Sequence, residues 1–388
     1  MKRVILLRSN PVDPDPPVEK AALALLNAGY YVRIIGWDRD ADYGLKKGVV
    51  QLSGYQVEVI RFGIKAQFSG GIKKNLLPLC SFLMRLRSWL IKNQTTYDII
   101  HAFDFDTGFV ASRCAKKFNK KFVYHILDYY VASHGLRKTV LEKPILELEN
   151  SVINCADGTI ICTEKRKEQI AGSSPKRLAV IHNTPAAAQL KQCESKTAQT
   201  GRIKIVYVGI LEPSRLLKDI VAVVSDNKSV EFHVGGFGTL EAFFQDMANK
   251  FENIYYYGRL SYDQTLSLEN ECDIMLAIYD PTIDNHRFAA PNKFYESLML
   301  GKPVIMVRGT GMSEIVEETA IGELIEYSGE GFADGVNRLI ARKDEWHTIG
   351  YRMKEIYQNQ YCWDEMERRL VSMYTEITDS KGEVKCVY

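Results

Sequence analysis

The segment Ala290-Pro-Asn-Lys-Phe-Tyr-Glu-Ser-Leu-Met-Leu-Gly-Lys-Pro-Val-Ile-Met-Val sets a proline, a lysine and a glutamate at the head of one short amphipathic stretch. It reads as a loop, a helix starting near Pro291, a stop at Gly301 and a buried strand. Proline is tolerated in a first helical turn because its missing N–H has no intrahelical partner there. The free N–H groups of that turn and the helix dipole favour an anion. Lys293 stands in the same turn, where its cation opposes the dipole, a conflict that points to a bound anion. A lysine meets a phosphate as a point charge. Glu296 lies three residues on and shares the face of Lys293. Two readings of it stay open: a carboxylate accepting both hydroxyls of a ribose, or the acidic half of a surface ion pair.

Elements that would position these residues repeat along the chain. Short apolar runs fall at 4–7, 31–36, 57–61, 98–103, 122–126, 158–163 and 178–182, then at 203–209, 230–235, 254–258, 274–278, 304–307 and 322–325. Most are continuous rather than alternating, the pattern of parallel strands covered on both faces by helices. A helix rich in strong formers follows the first run and stops at Gly29. At 186–202 the sequence turns polar, small and unpatterned, as linkers do. The expected architecture is α/β, with two Rossmann-like parallel-sheet domains facing across a cleft. Their expected bounds are 1–195 and 196–360, with a helix in 361–388 crossing back to the first domain. The length of 388 residues suits two cores, and ligands of such folds bind at the carboxyl ends of the strands. Hydrophobic residues make up 46% and charged residues 25%, and the net charge of +2 gives no basic coat for nucleic acid. No apolar run reaches the roughly 18 residues of a spanning helix. The N-terminus opens on a strand without a signal core, so a cytoplasmic location is expected. The eight cysteines show no Cys-x-x-Cys spacing and are expected to be reduced, buried thiols.

The 290–307 segment resembles the donor-binding helix of family 4 glycosyltransferases, enzymes of the GT-B fold. In that family a Glu, seven residues and a second Glu precede a Gly-x-Pro-Val turn. Glu296 matches the second, which the resemblance makes the ribose ligand. The first falls on Phe288, as in a bacterial subgroup with a Pro-x-Lys-x-x-Glu motif, and Asn292 or backbone N–H groups near Ala290 take over its contacts. Tyr207-Val-Gly-Ile-Leu-Glu-Pro-Ser-Arg-Leu-Leu-Lys resembles the strand and loop opening the donor domain. The family's basic pair falls there on Ile210 and Leu216, so Arg215, ahead of the nearby Lys218, becomes the candidate for the diphosphate, the plainer alternative being a solvated loop cation. An arginine can grip phosphate oxygens with a bidentate fork. Gly209, with Gly235 and Gly236 of Val234-Gly-Gly-Phe-Gly, would let backbone approach the nucleotide. In Phe122-Val-Tyr-His-Ile-Leu-Asp, His125 matches a histidine that hydrogen-bonds the donor sugar, against the plainer reading of a satisfied structural residue. Asp128 follows three residues later. In the first loop, Asp13 and Asp15 stand where an acceptor would bind, or are simply solvated turn residues.

The resemblance implies retention of anomeric configuration, with a nucleotide-sugar as co-substrate and no further cofactor. No metal-ligand spacing stands out, so Arg215, Lys293 and the helix start are expected to neutralise the departing diphosphate, His125 acting beside them. The acceptor is expected to be a glycan or a lipid-linked sugar of cell-envelope synthesis. Between Glu58 and Asp98 the chain is basic and carries Leu76, Leu79, Phe82, Leu83, Leu86 and Leu90 at helical spacing. Residues 61–92 thus offer a candidate contact with an anionic membrane, which would make the protein peripheral on the inner face; the alternative is a packing helix with a basic outer face. Two rival functions share the fold: a nucleotide-sugar epimerase and an inactive sugar-nucleotide-binding subunit. An oxidoreductase is not expected, because no Gly-x-Gly-x-x-Gly follows either opening strand.

Overall fold

A computed structural model describes residues 1–67, 71–186, 197 and 200–379. Most of the polar 186–202 stretch, with Cys193 and Cys386, lies outside the described residues, as do Phe68, Ser69 and Gly70. The chain divides into two compact units, Met1–Asn183 with the chain from Met366, and Thr184–Glu365.

In the first unit the strands are β1 (Arg3–Leu7), β2 (Tyr31–Asp38), β3 (Tyr43–Leu52), β4 (Tyr55–Gly63), β5 (Ile99–Phe103), β6 (Lys121–Ile126), β7 (Gly158–Ile161) and β8 (Leu178–Val180). They form one sheet in the order β3-β4-β2-β1-β5-β6-β7-β8. All neighbours are parallel except β3 and β4. The sequence reading missed β3, an antiparallel edge strand. Its Gly44, Lys46, Lys47 and Gly48 are unlike a covered strand, and most of its residues are exposed or half-buried. One face of the sheet carries Ile5, Leu7, Ile35, Tyr124 and Ile126, packed with Phe82, Leu86 and Leu90 of the Gly71–Lys92 helix. The Trp363–Asp379 helix, from the far end of the chain, packs against β7, where a methyl on Gly158 would lie 2.6 Å from Met373 Sδ.

The second unit holds β9 (Ile203–Ile210), β10 (Val230–Phe237), β11 (Ile254–Tyr256), β12 (Ile274–Ala277), β13 (Val304–Val307) and β14 (Gly322–Ile325). They form a wholly parallel sheet in the order β11-β10-β9-β12-β13-β14. Ile205 and Tyr207 join one core and Val206 and Val208 another. Side chains alternate across a strand, so the continuous apolar run of β9 reflects burial on both faces.

Four cysteines, Cys114, Cys162, Cys272 and Cys362, are buried, while Cys155 is half-buried and Cys80 is exposed, against the expectation of burial. The basic amphipathic stretch is divided too. Phe82, Leu86 and Leu90 belong to the core, while Leu76, Leu77 and Met84 are exposed. Arg61 donates to the carbonyls of Pro11 and Val12, and Arg85 to that of Tyr43, so these two cations are used within the fold. Among the described residues no helix is long and apolar enough to cross a membrane.

Candidate active site

Three strand ends and one helix start meet at the carboxyl edge of the second sheet. A Cβ on Gly236 would lie 1.8 Å from the Gly209 carbonyl oxygen, and with φ at 133° the position takes only glycine. This close approach of β9 and β10 leaves a shallow floor. Lys293 reaches over it: a Cβ on Gly209 would be 2.6 Å from the Lys293 Nζ, and that ammonium stands 4.8 Å from the centre of the Tyr207 ring. Gly235 backs onto Leu260, with only 2.8 Å between a Cβ there and Leu260 Cδ1.

Lys293 belongs to the Asn292–Leu300 helix, which ends at Gly301 in the left-handed conformation. Pro291 holds the cap position, so no side chain caps the helix, and no acidic residue stands in its first turn. The start therefore keeps its attraction for an anion, worth about 0.3–1 kcal/mol at an exposed site. Ala290 is half-buried and Asn292 exposed. Ala289 and Pro291 pack against Gly311 in the loop after β13.

Arg215 ends a single 3-10 turn, Pro213–Arg215, that follows β9. Its guanidinium carbon lies over Tyr279, 3.9 Å from the ring centre, and its Nη1 is buried without a hydrogen-bond partner among the described residues. A buried, unsatisfied donor costs about 1–3 kcal/mol, more for a charged one. The Arg215 charge is felt by Tyr207, whose hydroxyl burial pushes up to about 12, and by His286, which is held down mainly by burial. His286 packs edge-on against Tyr279 at 4.8 Å. Arg215 is thus half-buried and stacked, not a solvated loop cation.

Glu296 is buried, which replaces the surface ion pair considered from its spacing. The Tyr262 hydroxyl bonds to it, and burial together with the Glu296 charge pushes that phenol well up. Glu269 is buried beside them. Burial first and Glu296 second push its acid well up, while Lys293 pulls it back. Glu269 Oε2 has no hydrogen-bond partner among the described residues. Burial beside a second carboxylate thus favours the protonated form of Glu269.

The remaining candidates belong to the first unit. His125, near the end of β6, is buried, and burial, then His101 and Arg8, hold it well below the usual imidazole range. Its Nδ1 lies 3.3 Å from His101 Nε2, and His101 Nδ1 lies 2.8 Å from the Tyr374 hydroxyl. Asp15 is neither a solvated turn residue nor open to an acceptor. It is buried, caps the Pro16–Asn27 helix through the Val18 N–H, and accepts from Arg8 Nε at 2.9 Å and Asn10 at 2.5 Å. Arg8 also pairs with Asp104, whose Oδ1 accepts the N–H groups of Leu127 and Asp128. Asp13 is exposed and 3.5 Å from Arg61. Asp128 is exposed and pairs with the buried Arg166 at 3.3 Å. Among the described residues no three His, Cys, Asp or Glu side chains gather into a possible metal site.

Sequence reasoning missed Tyr207, Tyr279, Tyr262, Glu269 and Tyr374. Tyr279 carried a signal, since it follows a strand at the ligand-binding edge. Glu269 and Tyr374 lie inside ordinary helical patterns and gave none.

The architecture and this edge define a class, the glycosyltransferases of the GT-B fold. Residues 17–184 match the model of a glycosyl transferase 4-like domain and residues 202–342 that of the glycosyl transferases group 1. The chain belongs to the family 4-like glycosyltransferases. Solved structures agree on the fold. A sucrose-phosphate synthase from Thermosynechococcus elongatus superposes with a TM-score of 0.76 at 15% identity, covering 98% of this chain and 100% of that one. HepE of Anabaena in complex with UDP-glucose gives 0.70 at 15% identity, with 97% and 100% covered. A UDP-GlcNAc 2-epimerase from Neisseria meningitidis bound to UDP-GlcNAc gives 0.60 at 14%, with 97% and 100% covered. No curated protein matches the sequence significantly.

Proposed function

We propose that the protein is a retaining, metal-independent transferase that moves a hexose from a nucleotide-sugar to a glycan or lipid-linked acceptor in cell-envelope synthesis. The observation that carries the donor site is the orphaned Nη1 of Arg215, whose charge is felt by Tyr207, the ring under Lys293 in the first turn of an uncapped helix. A diphosphate supplies the acceptor that this buried N–H lacks. The same cations stabilise charge as it develops on the leaving group, where electrostatic catalysis is most effective. In the reaction the bond from the anomeric carbon to the diphosphate oxygen breaks. The acceptor oxygen bonds to that carbon on the same face, and its proton passes to the leaving phosphate. No protein nucleophile and no cofactor beyond the nucleotide-sugar takes part. Glu296 accepts the ribose hydroxyls, the backbone at Gly209, Gly235 and Gly236 lines the nucleotide, Asn292 and the N–H groups near Ala290 meet the sugar, and His125 hydrogen-bonds it.

Because HepE was captured with UDP-glucose, that donor is the first to try, beside GDP- and ADP-sugars. Calorimetry should show one nucleoside diphosphate bound by the wild type. Lys293→Ala should bind it at least tenfold more weakly with an unchanged melting temperature. Wild-type affinity in both Lys293→Ala and Arg215→Ala would remove the site. Conversion of a nucleotide-sugar to its epimer without any acceptor would favour the epimerase.

An anionic membrane surface is a proposed partner of the Gly71–Lys92 helix, supported by the exposure of Leu76, Leu77 and Met84 near the exposed Lys74 and Arg87. Co-sedimentation with vesicles should require anionic lipid and weaken in Leu77→Glu. Equal binding to neutral vesicles, or none, would retire it.

A further inference from the structure

The hydrogen-bond chain Tyr374–His101–His125 runs from the last described helix of the chain to the end of β6. Tyr374 and His101 are 0% exposed and His125 5%. In a chain so enclosed, each polar atom must be matched by a partner of the right kind. Among the described residues the Tyr374 hydroxyl makes one hydrogen bond, with His101 Nδ1 at 2.8 Å. If His101 Nδ1 carried a hydrogen and donated it, the phenol hydrogen would be buried with no acceptor. Tyr374 therefore donates, and His101 Nδ1 is the bare nitrogen. A neutral imidazole carries one hydrogen, so that of His101 sits on Nε2, facing His125 Nδ1 at 3.3 Å. His125 Nδ1 must then accept, and its own hydrogen is forced onto Nε2.

We infer that Tyr374 and His101 are positioning residues that fix the tautomer of His125, so that His125 presents an Nε2–H donor to an oxygen of the bound sugar and does not serve as a general base. This rests on the reading that His125 touches the sugar, but the tautomer itself does not. Neither family model reaches Tyr374, since the second ends at residue 342. The Trp363–Asp379 helix thereby becomes part of the catalytic apparatus rather than only packing. Stacking restricts the rings as well: His101 lies 4.6 Å and His125 4.7 Å from Phe103, and Tyr374 meets Tyr30 edge-on at 5.4 Å. A Tyr374→Phe variant keeps those ring contacts and loses only the donated hydrogen.

Nitrogen-15 spectra of histidine-labelled, full-length protein report which ring nitrogen bears the hydrogen. The expected result is Nε2–H on both His101 and His125, with Nδ1 of both unprotonated. A hydrogen on His125 Nδ1 overturns the inference, and because this is a wild-type measurement it stands even if a variant does not fold. In Tyr374→Phe the fixed order is lost, so His125 should show mixed tautomers. The kcat/KM for the nucleotide-sugar should fall roughly tenfold, while the free nucleoside diphosphate binds with wild-type affinity. Unchanged tautomers and unchanged kcat/KM in a folded variant would also overturn it. If the wild type binds no nucleoside diphosphate, the donor-site reading fails separately, and the tautomer result is unaffected.

Discussion

Arg215 shows how one side chain can be poised for a ligand at the expense of the empty protein. Its guanidinium rests over the Tyr279 ring, and burial strands Nη1. Arg215→Gln should therefore leave the unliganded melting temperature unchanged or slightly raised, because an orphaned charged donor is removed. The same change should weaken diphosphate binding tenfold or more. Scanning calorimetry with and without nucleotide separates the two effects, and a lowered melting temperature in the empty variant would show that Arg215 is mainly structural. Lysine would not serve, since it lacks the planar fork. The arginine was legible from the resemblance of the 207–218 segment to the family's donor-domain loop, but its stacking was not, because Tyr279 is 64 residues further along. Glu296 was half legible. Its spacing from Lys293 fits a surface pair equally well, and only the neighbouring helix, with Tyr262 and Glu269, shows it to be a buried carboxylate. Glu296→Ala should lower nucleoside diphosphate affinity by about 1–2 kcal/mol, the loss of one or two hydrogen bonds to a charged group. Equal affinity by calorimetry would take the ribose role away from it.

At the level of elements, the edge of the second sheet depends on how near β9 and β10 come to each other. Gly236 is the test of that geometry. Any side chain there meets the Gly209 carbonyl, which is backbone and cannot swing aside. Gly236→Ala should cost on the order of 3 kcal/mol or more, or prevent folding. By contrast Gly235→Ala meets the flexible end of Leu260 and should cost far less, about 1 kcal/mol. Comparable denaturation midpoints for the two variants would contradict this account of the strand ends. The parallel strands were readable because burial on both faces writes continuous apolar runs. The edge strand β3 was not, because one open side and an antiparallel partner allow glycine and lysine at its centre. The helix at 363–379 was readable as a helix. That it carries Tyr374 to His101 follows from a pairing 273 residues apart in sequence, which no local pattern encodes.

Taken as a whole, the molecule carries opposed buried titrations in its first unit, and together they set the shape of its stability against pH. His101 and His182 are held down to about 3, both chiefly by burial. They fold neutral, so the stability they contribute is present above about pH 6.5, the unfolded value, and is lost as pH falls towards 3. Glu149 has the opposite sign. Burial, with the charge of Asp104, raises it to about 8 against the pull of the Tyr124 hydroxyl, which donates at 2.8 Å. It folds protonated, so its contribution is complete below about pH 4.5 and is lost as pH rises through 8. Between pH 6.5 and 8 the histidine terms are therefore already at their full value while the Glu149 term is still draining away. Glu149→Gln keeps a carbonyl oxygen for Tyr124 and removes the titration. Its melting temperature should decline less than that of the wild type between pH 6 and 8.5. The difference should be about 2–4 °C for each kcal/mol relieved, and below about pH 4.5, where the Glu149 term is flat, the limb governed by His101 and His182 should be unchanged. Parallel alkaline limbs in the two proteins would mean that Glu149 is already ionised in the fold and that another group sets the decline.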